Sequence, residues 1–297
     1  MRYFILKGGL GNQLFQLSAF FYLRDKYNLK DLKLDLRTGF WLDYKYKRFL
    51  QISNLRNCEY SCSKIISIQN FILLIIHKRI PFINNFLKIL FINDKSFKKI
   101  NKRKLNKNQY CIFDGYFQNS KYVIYSLKNI MSIVSQDIDE TPSALFKKLY
   151  DEIKIHKNSV ALCIRFYEET DNPLLQTNQK VGLKSVSEFN EIISEIEKKL
   201  ENPKFFIFVQ KENSFTDQLK FKSKKSFITH DLGFKCAWNR LRAQSYCKHH
   251  IFNNSTFYFW GSIFSDQFYN SDSKKSVKYV SNNFIFKEIY LKNMTLF

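Results

Sequence analysis

A short apolar run, Tyr3-Phe4-Ile5-Leu6, runs straight into Lys7-Gly8-Gly9-Leu10-Gly11-Asn12-Gln13-Leu14-Phe15-Gln16, and this junction constrains the fold more than any other stretch. Apolar residues ending in closely spaced glycines, then a helical pattern, describe a strand, a tight turn and an amphipathic helix. Glycine permits positive φ and close backbone approach, and the first turn of a helix leaves N–H groups that suit an anion. A phosphate-bearing ligand is the functional reading. Backbone geometry alone also demands glycine in many such turns, so the glycines by themselves decide nothing. The adjacent amides Asn12 and Gln13 add weight, because turn geometry requires neither. Gly9, Gly11, Asn12 and Gln13 are the first candidate ligand residues.

The rest of the chain continues the alternation. A helix is expected over 12–27, a strand over 32–35, and a loop-rich stretch over 36–54 carrying Lys45-Tyr46-Lys47-Arg48. Residues 64–107 interleave isoleucines and phenylalanines with lysines and read as a basic insert of two amphipathic helices. His77-Lys78-Arg79 and Pro81 interrupt its apolar runs, so it does not predict a membrane-spanning helix. Two readings stay open: helices resting on a membrane surface, or helices packed on the first sheet with their lysines in water. A strand over 110–113 precedes the loop Asp114-Gly115-Tyr116-Phe117-Gln118, and a helix is expected over 143–155. The second half repeats the pattern, with strands over 160–164, 205–209, near 227–228, 250–252 and 277–280. Helices fall between them over 185–200, with Ser185 as N-cap, and over 234–247 and 255–264. The tail over 284–291 reads as a closing helix. The expected fold class is α/β, GT-B-like, with two Rossmann-type doubly wound domains facing a cleft. Their expected bounds are 1–150, including the insert at about 64–107, and 151–297.

Lys and Arg number 48 against 26 Asp and Glu, a formal charge of +22, so polyanions and anionic membrane surfaces are attracted. An AT-rich genome, which favours Lys, Asn, Ile, Phe and Tyr, explains part of that excess. No nucleic-acid motif accompanies it, and the aromatics fall in core-like runs, so nucleic acid is not an expected partner. Arg2 is followed by a short strand and a glycine turn, which does not read as a secretory signal. Six scattered cysteines suit free thiols in a reducing compartment. The expected location is the cytoplasm, with peripheral inner-membrane contact.

Two further places carry chemistry. Arg165 follows the strand over 160–164, at the carboxyl end where open α/β sheets place ligands. A guanidinium there can take a diphosphate bidentately and stabilise a departing leaving group, although arginines after strands are commonly surface residues. Asn254, Ser255 and Thr256 stand at a helix start, where hydroxyls and N–H groups cradle an anion and also serve as ordinary caps. Cys236, Cys247, His249 and His250 lack the paired spacing of a closed zinc site. No acidic pair follows a strand, so no metal ligand is expected.

Taken together, Gly8-Gly9-Leu10-Gly11-Asn12-Gln13-Leu14-Phe15-Gln16, Asp114-Gly115-Tyr116-Phe117-Gln118 and Cys247-Lys248-His249-His250 with Asn254-Ser255-Thr256-Phe257 through Trp260 resemble the bacterial α-1,2-fucosyltransferases of glycosyltransferase family eleven. The resemblance spans residues 1 to about 265. It implies a GT-B architecture and inverting transfer without metal or other cofactor. It also implies GDP-fucose as the nucleotide-sugar donor and a galactoside of a surface polysaccharide, lipid-linked or oligosaccharide, as acceptor. In that family the first motif and the arginine of the second domain line the donor diphosphate, which matches Asn12, Gln13 and Arg165 here. Arg165 would neutralise the leaving group with Asn12 assisting, and Glu168 or Glu169 would be the base. The chain departs from the family pattern at Cys163, Glu168, Gln210, Lys211 and Arg240. Those departures motivate an alternative, the same chemistry with another nucleotide sugar. A catalytically silent basic protein binding glycan or membrane is a third reading.

Overall fold

The computed structural model describes residues 1–80, 88–98, 105, 110–139, 142–166, 183–268, 276–282 and 287–297. The chain divides into two compact units, Met1–Asp139 and Glu140–Phe297.

The first unit is built on four parallel strands: β1 (Arg2–Ile5), β2 (Leu32–Asp35), β3 (Ile89–Ile92) and β4 (Tyr110–Phe113), in the order β2-β1-β4-β3. Alternate side chains of β1 and β4 point to opposite faces, and each face meets its own helix. Phe4 stacks on Phe113 at 5.8 Å and meets Phe20 of helix α1 (Leu10–Lys26) edge-on. Ile5 and Ile112 instead pack on Leu74 of a helix over Lys64–Arg79. Between these lie a short helical turn, α2 (Thr38–Trp41), then that longer helix, α3, and a second short turn, α4 (Asp94–Phe97). Helix α5 (Ser120–Asp139) closes the unit against α1, with the Tyr22 ring tilted against Tyr122 at 4.8 Å and edge-on to Tyr125 at 5.3 Å.

Two expectations are corrected here. Among the described residues of the stretch over 64–107, a strand stands where part of the second helix was expected: after α3, Ile89–Ile92 runs parallel to Tyr110–Phe113 as the edge strand of the sheet. Three of its four residues, Ile89, Phe91 and Ile92, are β-branched or aromatic and suit a strand, and the surrounding lysines hide its short period. Helix α5 is missing from the sequence reading altogether. Its first turn, Lys121-Tyr122-Val123-Ile124-Tyr125, has strand-like composition, and packing on α1 overrides that preference.

The second unit opens with α6 (Ala144–Ile155), capped by Ser143. This helix lies with the second unit, where Tyr150 Oη bonds the Asn239 side chain at 2.9 Å, so the division falls at 139/140 and not at 150. Six parallel strands follow: β5 (Ser159–Cys163), β6 (Lys204–Phe208), β7 (Lys224–Ile228), β8 (His249–Phe252), β9 (Lys278–Val280) and β10 (Thr295–Leu296). Their order is β10-β9-β8-β5-β6-β7. Counted from β5 as first strand, this is the 3-2-1-4-5-6 order of dinucleotide-binding sheets, with the switch point between β5 and β8. One face carries α7 (Val186–Lys199), whose Phe189, Ile192, Ile193 and Ile196 meet Val160, Leu162, Phe205 and Ile207. A capping box fixes its start: Ser185 Oγ accepts from Glu188 N, and the Glu188 carboxylate accepts from Ser185 N at 2.8 Å. After β6 comes the turn α8 (Ser214–Asp217), and α9 (Ala237–Tyr246) and α10 (Thr256–Phe268) complete the unit. The expected closing helix over 284–291 falls partly outside the described residues. What is described there is a 3-10 turn over Lys287–Ile289, followed by β10 as a sixth strand. Both units are parallel-sheet α/β, the fold class expected.

Candidate functional site

The expected site residues fall into two groups, one in each unit. In the first unit, Gly9 is the N-cap of α1 and accepts from the amides of Asn12 (2.9 Å) and Gln13 (3.0 Å). Gly8 has φ +76°, and a Cβ there would press on Asn12 and on the Tyr116 ring, so glycine is required. Gly11 lies buried in the first turn of α1. The carboxyl ends of β1 and β4, neighbours at the middle of this sheet, meet here. Lys7 Nζ pairs with Asp114 at 2.5 Å, and Gln16 bridges Lys7 N and the Gly115 carbonyl.

The two amides behave differently. Gln13 is wholly buried, donates to the Gly8 and Phe49 carbonyls at 2.8 and 2.9 Å, and accepts from Gln51 N. Its amide therefore ties the glycine turn to the 49–51 loop, a structural role where ligand contact was expected. Asn12 Oδ1 accepts from Gln118 Nε2 at 2.9 Å, which orients its amide at the turn. The Gly115–Phe117 loop is held by Asp94, whose carboxylate accepts from the amides of Tyr116 and Phe117. No local spacing pointed to Asp94, because its partners lie more than twenty residues away.

In the second unit the geometry converges on the switch point. Arg165 lies two residues past β5 and Asn253 one past β8, and the Asn253 side-chain amide grips the Arg165 backbone. Arg165 N donates to Asn253 Oδ1 at 2.8 Å, and Asn253 Nδ2 donates to the Arg165 carbonyl at 2.8 Å. Asn253 is fully buried. This reciprocal pair fixes the backbone of Arg165 beside Asn254, Ser255 and Thr256, which lead into α10. Asn253 escaped the sequence reading, although its place after a buried strand and before Asn-Ser-Thr was visible. Glu168 and Glu169 lie outside the described residues.

The edge of this sheet is also positively biased. His230, after β7, has its imidazole pushed down to about 4, first by burial and then by Arg240, Arg165 and Lys235, with Asp231 opposing. Its amide donates to the Gln210 carbonyl at 2.8 Å. Tyr258 Oη lies 3.2 and 3.3 Å from the Phe208 and Ile164 carbonyls, and burial raises that phenol to about 12. Convergent cations and a helix N-terminus in one half-buried place favour an anionic ligand.

Of the positions marking departure from the family pattern, Cys163 and Arg240 are core residues. Cys163 is wholly buried, its thiol pushed well up by burial, and Arg240 spends its guanidinium on main-chain carbonyls. Neither has the exposure a sugar contact needs.

The Cys/His run is structural too. Among the described residues no group of three metal-ligating side chains gathers. His249 Nδ1 accepts from Val277 N at 3.0 Å, and His250 Nε2 lies 3.0 Å from the Cys247 carbonyl. Burial lowers both rings, His249 to about 4 with Lys248 adding, and His250 with buried Lys278 adding. A folded pKa below the unfolded value of about 6.5 means that the unfolded chain binds more protons between the two. Stability is therefore full above about pH 6.5 and declines as pH falls toward 4, by roughly 3 kcal/mol for His249. Thermal midpoints measured from neutral to acidic pH should show that decline, and His249→Asn should flatten it. An unchanged slope in that variant would place the titration elsewhere.

No family model matches the chain. Over 281 residues it is 25% identical to the O-antigen biosynthesis glycosyltransferase WbnK of Escherichia coli, covering 88% of this chain and 89% of that protein. Among solved structures it is similar to a family 9 glycosyl transferase of Veillonella parvula (TM-score 0.42, 9% identity, 99% of this chain and 86% of that one). It is also similar to ADP-heptose LPS heptosyltransferase II of Escherichia coli (TM-score 0.41, 7% identity, 100% and 90%). The family-eleven fucosyltransferase assignment does not hold: no family model matches, and the curated relative is named an O-antigen glycosyltransferase, not a fucosyltransferase. The reason is physical. Glycine turns and Ser/Thr helix starts recur wherever a sheet edge meets phosphate, so they report the fold and not the sugar.

Proposed function

We propose that this chain is a glycosyltransferase of O-antigen or lipopolysaccharide assembly. The nucleotide-sugar diphosphate would lie at the carboxyl edge of the second sheet. The observation that carries this reading is the Arg165–Asn253 clamp at the switch point, and the O-antigen glycosyltransferase relative supports it. Arg165 takes the diphosphate bidentately while the start of α10, with Ser255 and Thr256, faces its oxygens. Asn12 and the turn at Gly9 and Gly11 lie in the first unit. In the transfer, an acceptor hydroxyl oxygen bonds the anomeric carbon from the face opposite the diphosphate. The bond from that carbon to the diphosphate oxygen breaks, and its electron pair leaves on the nucleoside diphosphate. The hydroxyl proton passes to a base, for which Glu168 and Glu169 are the candidates. The acceptor is a lipid-linked or oligosaccharide intermediate, and the leaving charge is met by Arg165 and the helix without a divalent ion.

Calorimetric titration with GDP, UDP and ADP, with and without EDTA, tests the site. At least one nucleotide should bind equally well in chelator, and Arg165→Lys should weaken it. Strict dependence on magnesium or manganese, or no binding at all, would overturn the reading. A panel of nucleotide sugars, GDP-fucose included, then identifies the donor by transfer.

A further inference from the structure

Helix α3 is amphipathic in the inverted sense. Its inward face carries Ser67, Asn70 and Leu74, all buried. Asn70 donates to Asp35 at 2.8 Å and accepts from Tyr110 Oη at 2.7 Å, while the Ser67 carbonyl accepts from Thr38 Oγ1 at 2.8 Å. These bonds fix the rotation of the helix, so its outward face is not free to turn in. That outward face is apolar: Ile65, Ile68 and Ile72 are 77%, 44% and 50% exposed, one beneath another at helical spacing. Ile80 is exposed just past the helix end, and Trp41, packed on Phe71 at 6.0 Å, is exposed at the margin. Cations frame the stripe, with Lys64 at one end and Lys78 and Arg79 at the other, all exposed. Leaving isoleucines in water while asparagine and serine take the inside is unfavourable unless another surface covers them.

We propose that the outward face of α3 lies on an anionic lipid surface, with its isoleucines in the headgroup boundary and Lys64, Lys78 and Arg79 on lipid phosphates. An apolar stripe framed by cations, on a chain of charge +22, has the complementarity such a surface needs. No described helix is long and apolar enough to cross a membrane, which fits a helix that lies in the plane. The inference does not depend on the transfer reaction.

Flotation of the full chain with vesicles tests it. Vesicles of phosphatidylcholine mixed with phosphatidylglycerol should bind the protein, and raised salt should weaken that binding. Ile65→Ser/Ile68→Ser/Ile72→Ser should lose about tenfold or more in affinity, since exposed positions leave the fold intact. A second variant, Lys78→Gln/Arg79→Gln, should bring binding down to the level on pure phosphatidylcholine. Absence of vesicle binding by the wild-type chain would overturn the proposal, and so would equal binding by the triple-serine variant. A wild-type dimer that ignores vesicles and that the triple-serine variant dissociates would show the face to be a contact between copies instead. Nucleotide binding is measured separately, so loss of either result leaves the other standing.

Discussion

Arg165→Lys should keep the wild-type thermal midpoint and lose about a hundredfold in transfer rate. The backbone of Arg165 is held by the buried Asn253 amide, through two bonds of 2.8 Å that use only main-chain atoms of residue 165. A lysine there keeps both bonds, so the loop stays in place and only the head group changes. Its ammonium is a point charge that cannot take two phosphate oxygens in one plane. If the guanidinium stabilises the leaving diphosphate more in the transition state than in the bound donor, turnover falls and KM changes little. A loss confined to KM would make Arg165 a binding residue alone, and unaltered kinetics would remove it from the site. The same variant distinguishes the two charge-bearing arginines near β5, because Arg240 cannot substitute from its buried position.

What was legible in the sequence follows from local chemistry. The strand-turn-helix at residues 3–16 is encoded by residues that touch one another along the chain, and so is the Ser185 N-cap. The place of Arg165 and Ser255 at the carboxyl edge followed from βα alternation, without any contact being known. The misses are non-local. Asp94 organises Tyr116 and Phe117 from a basic stretch in which the strand just before it, Ile89–Ile92, was hidden by lysines. Gln13 looked like a ligand amide because neither Phe49 nor Gln51 could be seen to approach it. Helix α3 reads as an ordinary amphipathic helix until Asn70 is found between Asp35 and Tyr110, which reverses the face it buries. Family identity failed for another reason: the matching motifs are those that any phosphate-facing sheet edge shares.

Arg240 separates a pocket residue from a structural one most sharply. The sequence placed it among positions that could alter donor choice. Its side chain is instead buried, donating to the Ile228 and Phe234 carbonyls at 3.0 Å and to the Val209 carbonyl at 3.1 Å. These acceptors stand at the ends of β6 and β7 and in the loop before α9, so one planar fork ties three segments together. Burial lowers the guanidinium pKa, but arginine starts so high that it stays charged. The desolvation cost is already offset in the folded state by those carbonyl bonds and by the Phe208 ring 5.8 Å away. Arg240→Ala removes that compensation, leaving three buried carbonyls unpaired and a void beside Phe208. The expected loss is about 3–5 kcal/mol of unfolding free energy, read from the midpoint of urea denaturation at constant slope. Arg240→Lys should recover only part, since an ammonium cannot span three divergent carbonyls. Donor preference among the molecules that remain folded should be unchanged. A variant of wild-type stability with a shifted donor preference would return Arg240 to the pocket and make the carbonyl bonds incidental.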